Sequence, residues 1–171
     1  MKKISLVIIS IIFGFTAMAQ QIAVSSIVDI NFQKGTKKLS STEAQSLSKR
    51  NNEGDDMKKN GEFYAIDDFI LWLVPGQVNV PQGYLEQVKK GMFNFYQLSP
   101  PKNYSAIIKT INNYQVLIFN YDIDSLSYYN FHCVYSDNKK LLNGSAVFNV
   151  SEKKEIIGKL DNLLKNIRFK P

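Results

Sequence analysis

Cysteine and histidine each occur once in this chain of 171 residues, side by side as His132 and Cys133. One cysteine excludes an intramolecular disulfide, so the fold must be held by its core. One histidine and one cysteine also fall short of the three or four ligands that a zinc site takes. A thiol–imidazole nucleophile needs the two groups to converge. Here both lie in a segment patterned as a strand, where neighbours point to opposite faces. Cys133 shares its face with Tyr129, Phe131 and Tyr135 and reads as a small buried hydrophobe. There is no G-x-S-x-G elbow and no phosphate-cradling glycine loop. No apolar run reaches the roughly 20 residues of a membrane-spanning helix.

Charge of one sign is also scarce. Lys and Arg number 21 against 15 Asp and Glu, a formal net charge of +6. That mild excess suits solubility, whereas a nucleic-acid binder carries a concentrated basic patch. The one local enrichment is Lys34, Lys37, Lys38, Lys49, Arg50, Lys58 and Lys59, diluted by Glu43, Glu53, Asp55 and Asp56. It reads as a solvated face, or as a contact for an acidic partner or anionic lipid head groups.

What is present begins at the N-terminus. Met1-Lys2-Lys3 is basic, Ile4 to Phe15 is largely apolar, and Ala17-Met18-Ala19 offers small residues at the positions a signal peptidase reads. That order predicts a secretory signal peptide over residues 1–19 and a mature chain of residues 20–171, periplasmic or secreted. No cysteine ends the signal, so a lipid anchor there lacks its acceptor. The remaining length is that of one domain.

Along that domain, Ile22 to Phe32 alternates with period two, which predicts a half-buried strand. Lys34-Gly35-Thr36 turns the chain. Ser40 and Glu43 form an S-x-x-E capping box, with Leu39 placed to staple against Ala44, so a helix runs to about Asn51. Residues 51–61 are polar and form a flexible loop. Glu62 to Val74 reads as one strand, apolar on both faces in its second half and ended by Pro75-Gly76. A helix follows from about Pro81 to Tyr96, with Leu85, Val88, Met92 and Phe95 as its apolar stripe and Pro81 in its first turn. Strands at 104–111 and 114–121 flank Asn112-Asn113, and strands at 127–135 and 141–150 flank Asp137-Asn138, giving two hairpins. Ser151 caps a last helix striped by Ile156, Ile157, Leu160, Leu163, Leu164 and Ile167. The order β-α-β-α-β-β-β-β-α predicts an α+β domain, an antiparallel sheet with helices on both faces.

The opening strand, Lys34-Gly35, Leu39 and capped helix, together with Asn143-Gly144, the strand and helix after it, and Asn166-Ile167-Arg168-Phe169, resemble the Mog1/PsbP-type α/β/α sandwich. The resemblance lies in element order. It implies a binding module more than an enzyme, because members of that fold bind small GTPases, assist photosystem assembly or sit in bacterial envelopes. It implies no cofactor and carries over no site residue.

Other constellations are weaker. Asp122-x-Asp124-x-Leu126 begins like a calcium loop but has Ser127 and Cys133 where glycine and glutamate are required. The pairs Asp55-Asp56 and Asp67-Asp68 read as solvated acids. Asp124-Ser125-Leu126 resembles a short bacterial O-glycosylation acceptor. The many aromatics offer a better handle, since Tyr and Trp beside basic groups suit an interface or a glycan platform. Tyr128, Tyr129, Trp72, Lys37 and Lys38 form the candidate binding surface. The expected function is an exported, non-enzymatic envelope protein that binds another protein, as an accessory or immunity-type factor, with no catalytic, cofactor or metal residues. The alternatives are a small-ligand or glycan-binding module, and a hydrolase with a dispersed site.

Overall fold

The computed structural model describes residues 20–50 and 61–170. The expected signal segment and residues 51–60 of the polar loop lie outside the described residues. The elements are β1 (Gln20–Ala23), β2 (Val28–Phe32), β3 (Lys37–Leu39), α1 (Ser41–Arg50), β4 (Glu62–Ile66), β5 (Phe69–Gln77), α2 (Tyr84–Tyr96), β6 (Lys102–Ile111), β7 (Tyr114–Ile123), β8 (Leu126–Tyr135), β9 (Lys140–Asn149), a 3-10 turn (Val150–Glu152), α3 (Lys153–Lys165) and β10 (Ile167–Phe169).

Seven strands form one antiparallel sheet in the order β3-β4-β5-β9-β8-β7-β6, and β1-β2-β10 form a small second sheet. Strand alternation divides the large sheet's side chains between two faces. One face carries Tyr64, Leu71, Leu73, Val116, Tyr129, Phe131, Cys133 and Leu142. It is covered by β2, β10 and α3, whose Ile156, Leu160, Leu163 and Leu164 are buried at helical spacing. Each such side chain contributes about 1.5–3 kcal/mol when fully buried. The opposite, outer face is covered at its two ends. Helix α1 closes over Leu39, Phe63 and Ile70, and α2 closes over Leu117, Phe119 and Val134. The result is an α/β/α sandwich, as the element order implied.

The capping box forms as read. The Ser40 backbone N–H and hydroxyl donate to Glu43 Oε2 (both 2.8 Å), and the Glu43 N–H donates back to Ser40 Oγ (3.2 Å). Leu39 and Ala44 share one buried cluster. Both hairpin turns also form, with Asn112 and Asn138 in the left-handed region at φ 51° and 54°.

Several boundaries differ. The first strand is a hairpin, broken at residues 24–27. The run from Glu62 to Val74 is likewise two strands folded back at Asp67, whose φ of 48° a short carboxylate side chain tolerates. Strand β5 then continues through Pro75 and Gly76, where β4 pairs only as far as Leu73 and the side of Pro75 has no partner strand among the described residues. Helix α2 starts at Tyr84 after Gly83 (φ 72°), so Pro81 lies before its first turn. Ser151 falls in the 3-10 turn and caps nothing. Asn143-Gly144 lies inside β9, and Ile167 belongs to β10.

Candidate functional site

Strand β6 ends the large sheet, so one of its edges has no partner strand among the described residues. Helix α2 runs beside it. Between them lies an open trough of about 570 Å³, lined by Glu86, Lys89, Lys90 and Phe93 of α2 and by Tyr104, Ser105, Ala106 and Ile108 of β6. Most large apolar side chains of this protein are buried; here they are not. Phe93 is 55% exposed, Phe95 74% and Leu98 98%, and Ile107 projects 41% exposed from the other face of the same strand. An edge with apolar side chains on both its faces is a template for a further strand. Lys89 and Lys90 line the trough beside Glu86, and Lys102 and Lys109 are exposed on β6 itself, an excess of positive charge.

The sequence stripe placed Phe95 in the core, and the structure reverses this. The row facing the sheet runs through Leu85, Val88 and Met92 and ends on Tyr96, one residue later. Tyr96 packs against Tyr104 (5.4 Å between ring centres) and Tyr121 (5.3 Å), and Tyr121 stacks on Tyr128 (5.0 Å). With that ladder taken by Tyr96, Phe95 is turned outward. Two adjacent aromatics carry no periodicity signal that would have told them apart.

The five residues singled out from the sequence do not make one surface. Tyr129 is a correction: it is 1% exposed on the inner face and its hydroxyl donates to Asp161 Oδ1 at 2.8 Å. Tyr128 points to the outer face, half-buried in the tyrosine ladder. Trp72 is half-buried on the outer face of β5, stacked on Phe63. Lys37 and Lys38 sit on β3 at the far end of the sheet, paired with Glu43 (3.0 Å) and Glu62.

His132 and Cys133 occupy opposite faces as expected. Cys133 is fully buried, and burial pushes its thiol well above the ordinary value. Burial also lowers the pKa of His132, a shift that the Asn143 side chain opposes only in part. Asp122 belongs to β7, which runs two residues beyond the strand expected at 114–121. It is 4% exposed and receives Lys153 Nζ (2.7 and 2.9 Å), Asn103 Nδ2 (2.6 Å) and Ser127 Oγ (2.7 Å). Desolvation pushes its pKa up, and the bonds from Lys153, Asn103 and Ser127 outweigh this and hold it below the usual carboxylate range. These contacts tie β7 and β8 to the start of α3, a structural role. Asp124 and Ser125 are exposed at the tip of the β7–β8 hairpin. Among the described residues no three His, Cys, Asp or Glu side chains gather as a metal site, and no helix is long and apolar enough to cross a membrane.

The architecture is that of a PsbP-like α/β/α domain. A solved structure with this fold is cyanobacterial PsbP (CyanoP) from Synechocystis sp. PCC 6803. It superposes with a TM-score of 0.58 over 95% of this chain and 99% of its own, at 8% sequence identity. At that identity the likeness is one of fold. No protein-family model and no curated protein matches the chain.

Proposed function

We propose that this chain is an exported, non-enzymatic protein whose task is to bind another protein, and that the partner docks on the β6 edge and the end of α2. The observation that carries this reading is the exposure of Phe93, Phe95, Leu98 and Ile107 around one unpaired strand edge. A domain gains nothing in stability from leaving such side chains in water, and the aromatic ones that are exposed, Phe93 and Phe95, are both on α2. The partner best matched is a protein segment in extended form, apolar at alternate positions and acidic at its flanks. Such a segment would add a strand to β6, set its side chains against Phe93 on one face and Ile107 on the other, and meet the surrounding lysines. Export rests on the basic, apolar and small-residue order of the first nineteen residues.

The test is a comparison of two C-terminally tagged full-length proteins expressed in the native host: wild type, and the Phe95→Asp, Leu98→Asp double variant. Bound proteins are eluted and quantified. One stoichiometric partner on the wild type, lost from a double variant with unchanged circular dichroism, supports the reading. Equal recovery of that partner by both proteins overturns it. So does a wild type that sediments as a dimer and a variant that sediments as a monomer, because the edge would then serve self-association.

A further inference from the structure

Among the described residues, the outer face of the sheet is covered at its ends, by α1 over β3 and β4 and by α2 over β6 and β7. Between them, β5, β9 and β8 lie open. Cross-strand register arranges six side chains there in two rows. Trp72, Ser145 and Asn130 form one row; Val74, Asn143 and His132 form the next. They line a groove of about 380 Å³, within the size range of small-molecule sites.

Its chemistry is unlike the rest of that face. The neighbouring outward positions are apolar or aromatic: Ile70, Leu117, Phe119 and Val134 are buried. The groove floor holds four uncharged polar side chains in the middle of a sheet, and among the described residues no Lys, Arg, Asp or Glu lines it. One pair is satisfied internally, since Ser145 Oγ donates to Asn130 Oδ1 at 2.8 Å. The other is not. Nδ1 of His132 and Oδ1 of Asn143 are buried without a well-formed hydrogen bond, although the two side chains face each other across the strands and interact. Leaving such atoms unpaired is costly, and a fold that needed only stability would place apolar side chains here. The His132 ring is held in position, stacked on Phe119 (5.7 Å) with Tyr84 at its edge (6.4 Å). A turn of the Asn143 amide about its soft terminal torsion would present its Oδ1 to the groove, which the fixed imidazole already lines.

The ligand class follows from what the site offers. Among the described residues no ionised side chain at the groove balances a charge, which favours a neutral ligand. Asn143 Oδ1 needs a donor. A neutral imidazole has one N–H and one bare nitrogen, so it can serve a group that accepts and donates at once. A hydroxyl is that group. Trp72 adds an apolar wall, which suits a ring with a C–H face and a hydroxylated rim. We propose that this groove binds a neutral saccharide, its hydroxyls bonded to Asn143 and His132 and its ring set against Trp72. The inference is independent of the docking surface, which lies on other residues.

Trp72 is the chain's only tryptophan, so its emission reports directly on the groove. The purified full chain is titrated with maltose, cellobiose and N,N′-diacetylchitobiose, and with glucuronate as a charged counterpart. A saturable change in emission with at least one neutral sugar is expected, with glucuronate weaker. Asn143→Leu and His132→Leu should each weaken binding about tenfold or more while Asp124→Asn, at the exposed tip of the β7–β8 hairpin, leaves it unchanged. Amide chemical shifts of the wild type provide a readout that needs no variant, and they should move at residues 72–74, 130–132 and 143–145. The absence of any saturable response to all three neutral sugars into the tens of millimolar overturns the proposal. A response whose shifts map to α2 and β6 overturns it equally.

Discussion

The ring of Phe131 lies across Gly144, its cross-strand neighbour on the inner face of the sheet. A β-carbon at position 144 would fall within 2.7 Å of three carbons of that ring. The absence of a side chain at 144 is therefore what lets Phe131 lie flat in the core.

Gly144→Ala should destabilise the protein by about 1–3 kcal/mol, the ordinary cost of overpacking. The denaturation midpoint in urea measures it. Adding Phe131→Leu should recover part of the loss, because the shorter side chain vacates the space. An additive double variant would show that strand strain, and not the ring, limits position 144.

Removing the Asp122 carboxylate should cost about 2 kcal/mol, because Lys153 loses its partner and bonds from Asn103 and Ser127 go with it. The sign with pH follows from the depressed pKa. Its contribution is complete above the unfolded-state value, near that of a free carboxylate, and is lost as pH falls through the lower folded value. Asp122→Asn should accordingly flatten the acid limb of the stability profile. A variant that loses stability equally at all pH values would contradict this.

At the start of α1, Ser40→Ala should cost about 1 kcal/mol, the usual worth of such a cap. Bonds from the Ser40 backbone N–H and hydroxyl, and then Lys37, lower Glu43 from 4.5 to about 2. What that carboxylate contributes is present above pH 4.5 and disappears as pH falls towards 2. Thermal melts of wild type and Ser40→Ala across that range should draw closer towards the acid end without meeting, because the bond from the Glu43 N–H to Ser40 Oγ does not titrate.

Cys133 should resist thiol reagents in the native state. It is fully buried and its thiolate is disfavoured by desolvation. Modification followed at 412 nm with a chromogenic disulfide (a wavelength set by that reagent) should proceed only as fast as the protein unfolds. Rapid native labelling would mean that β8 opens locally.

Much of the architecture was legible in the residues because it rests on local patterns. Ser40 and Glu43 are three apart, and a capping box needs nothing more distant. The Ile156, Leu160, Leu163 and Leu164 stripe repeats with the helical period, so α3 could be read directly. Asn112-Asn113 and the apolar strands around it marked a hairpin for the same reason. The misreadings share a cause as well. Asp67 takes a left-handed turn that makes two strands of one apolar run, and nothing in the alternation of Glu62 to Val74 marks it. Phe95 and Tyr96 compete for one inward position, and the choice rests with Tyr104 and Tyr121, which are distant in sequence.

The amino-acid sequence by itself determined the class of fold, the opposed faces of His132 and Cys133, and the absence of any disulfide, because each depends on composition or on spacing within one element. The tertiary structure alone decided which surfaces remain for function. Strand β6 became an edge only when β9 returned to pair with β5. Trp72, Asn130, His132, Asn143 and Ser145 became one groove only when three strands met in register. Asp122 became a buried junction only when α3 brought Lys153 to it. Those outcomes depend on pairing between residues far apart in the chain, and periodicity holds no record of such pairing.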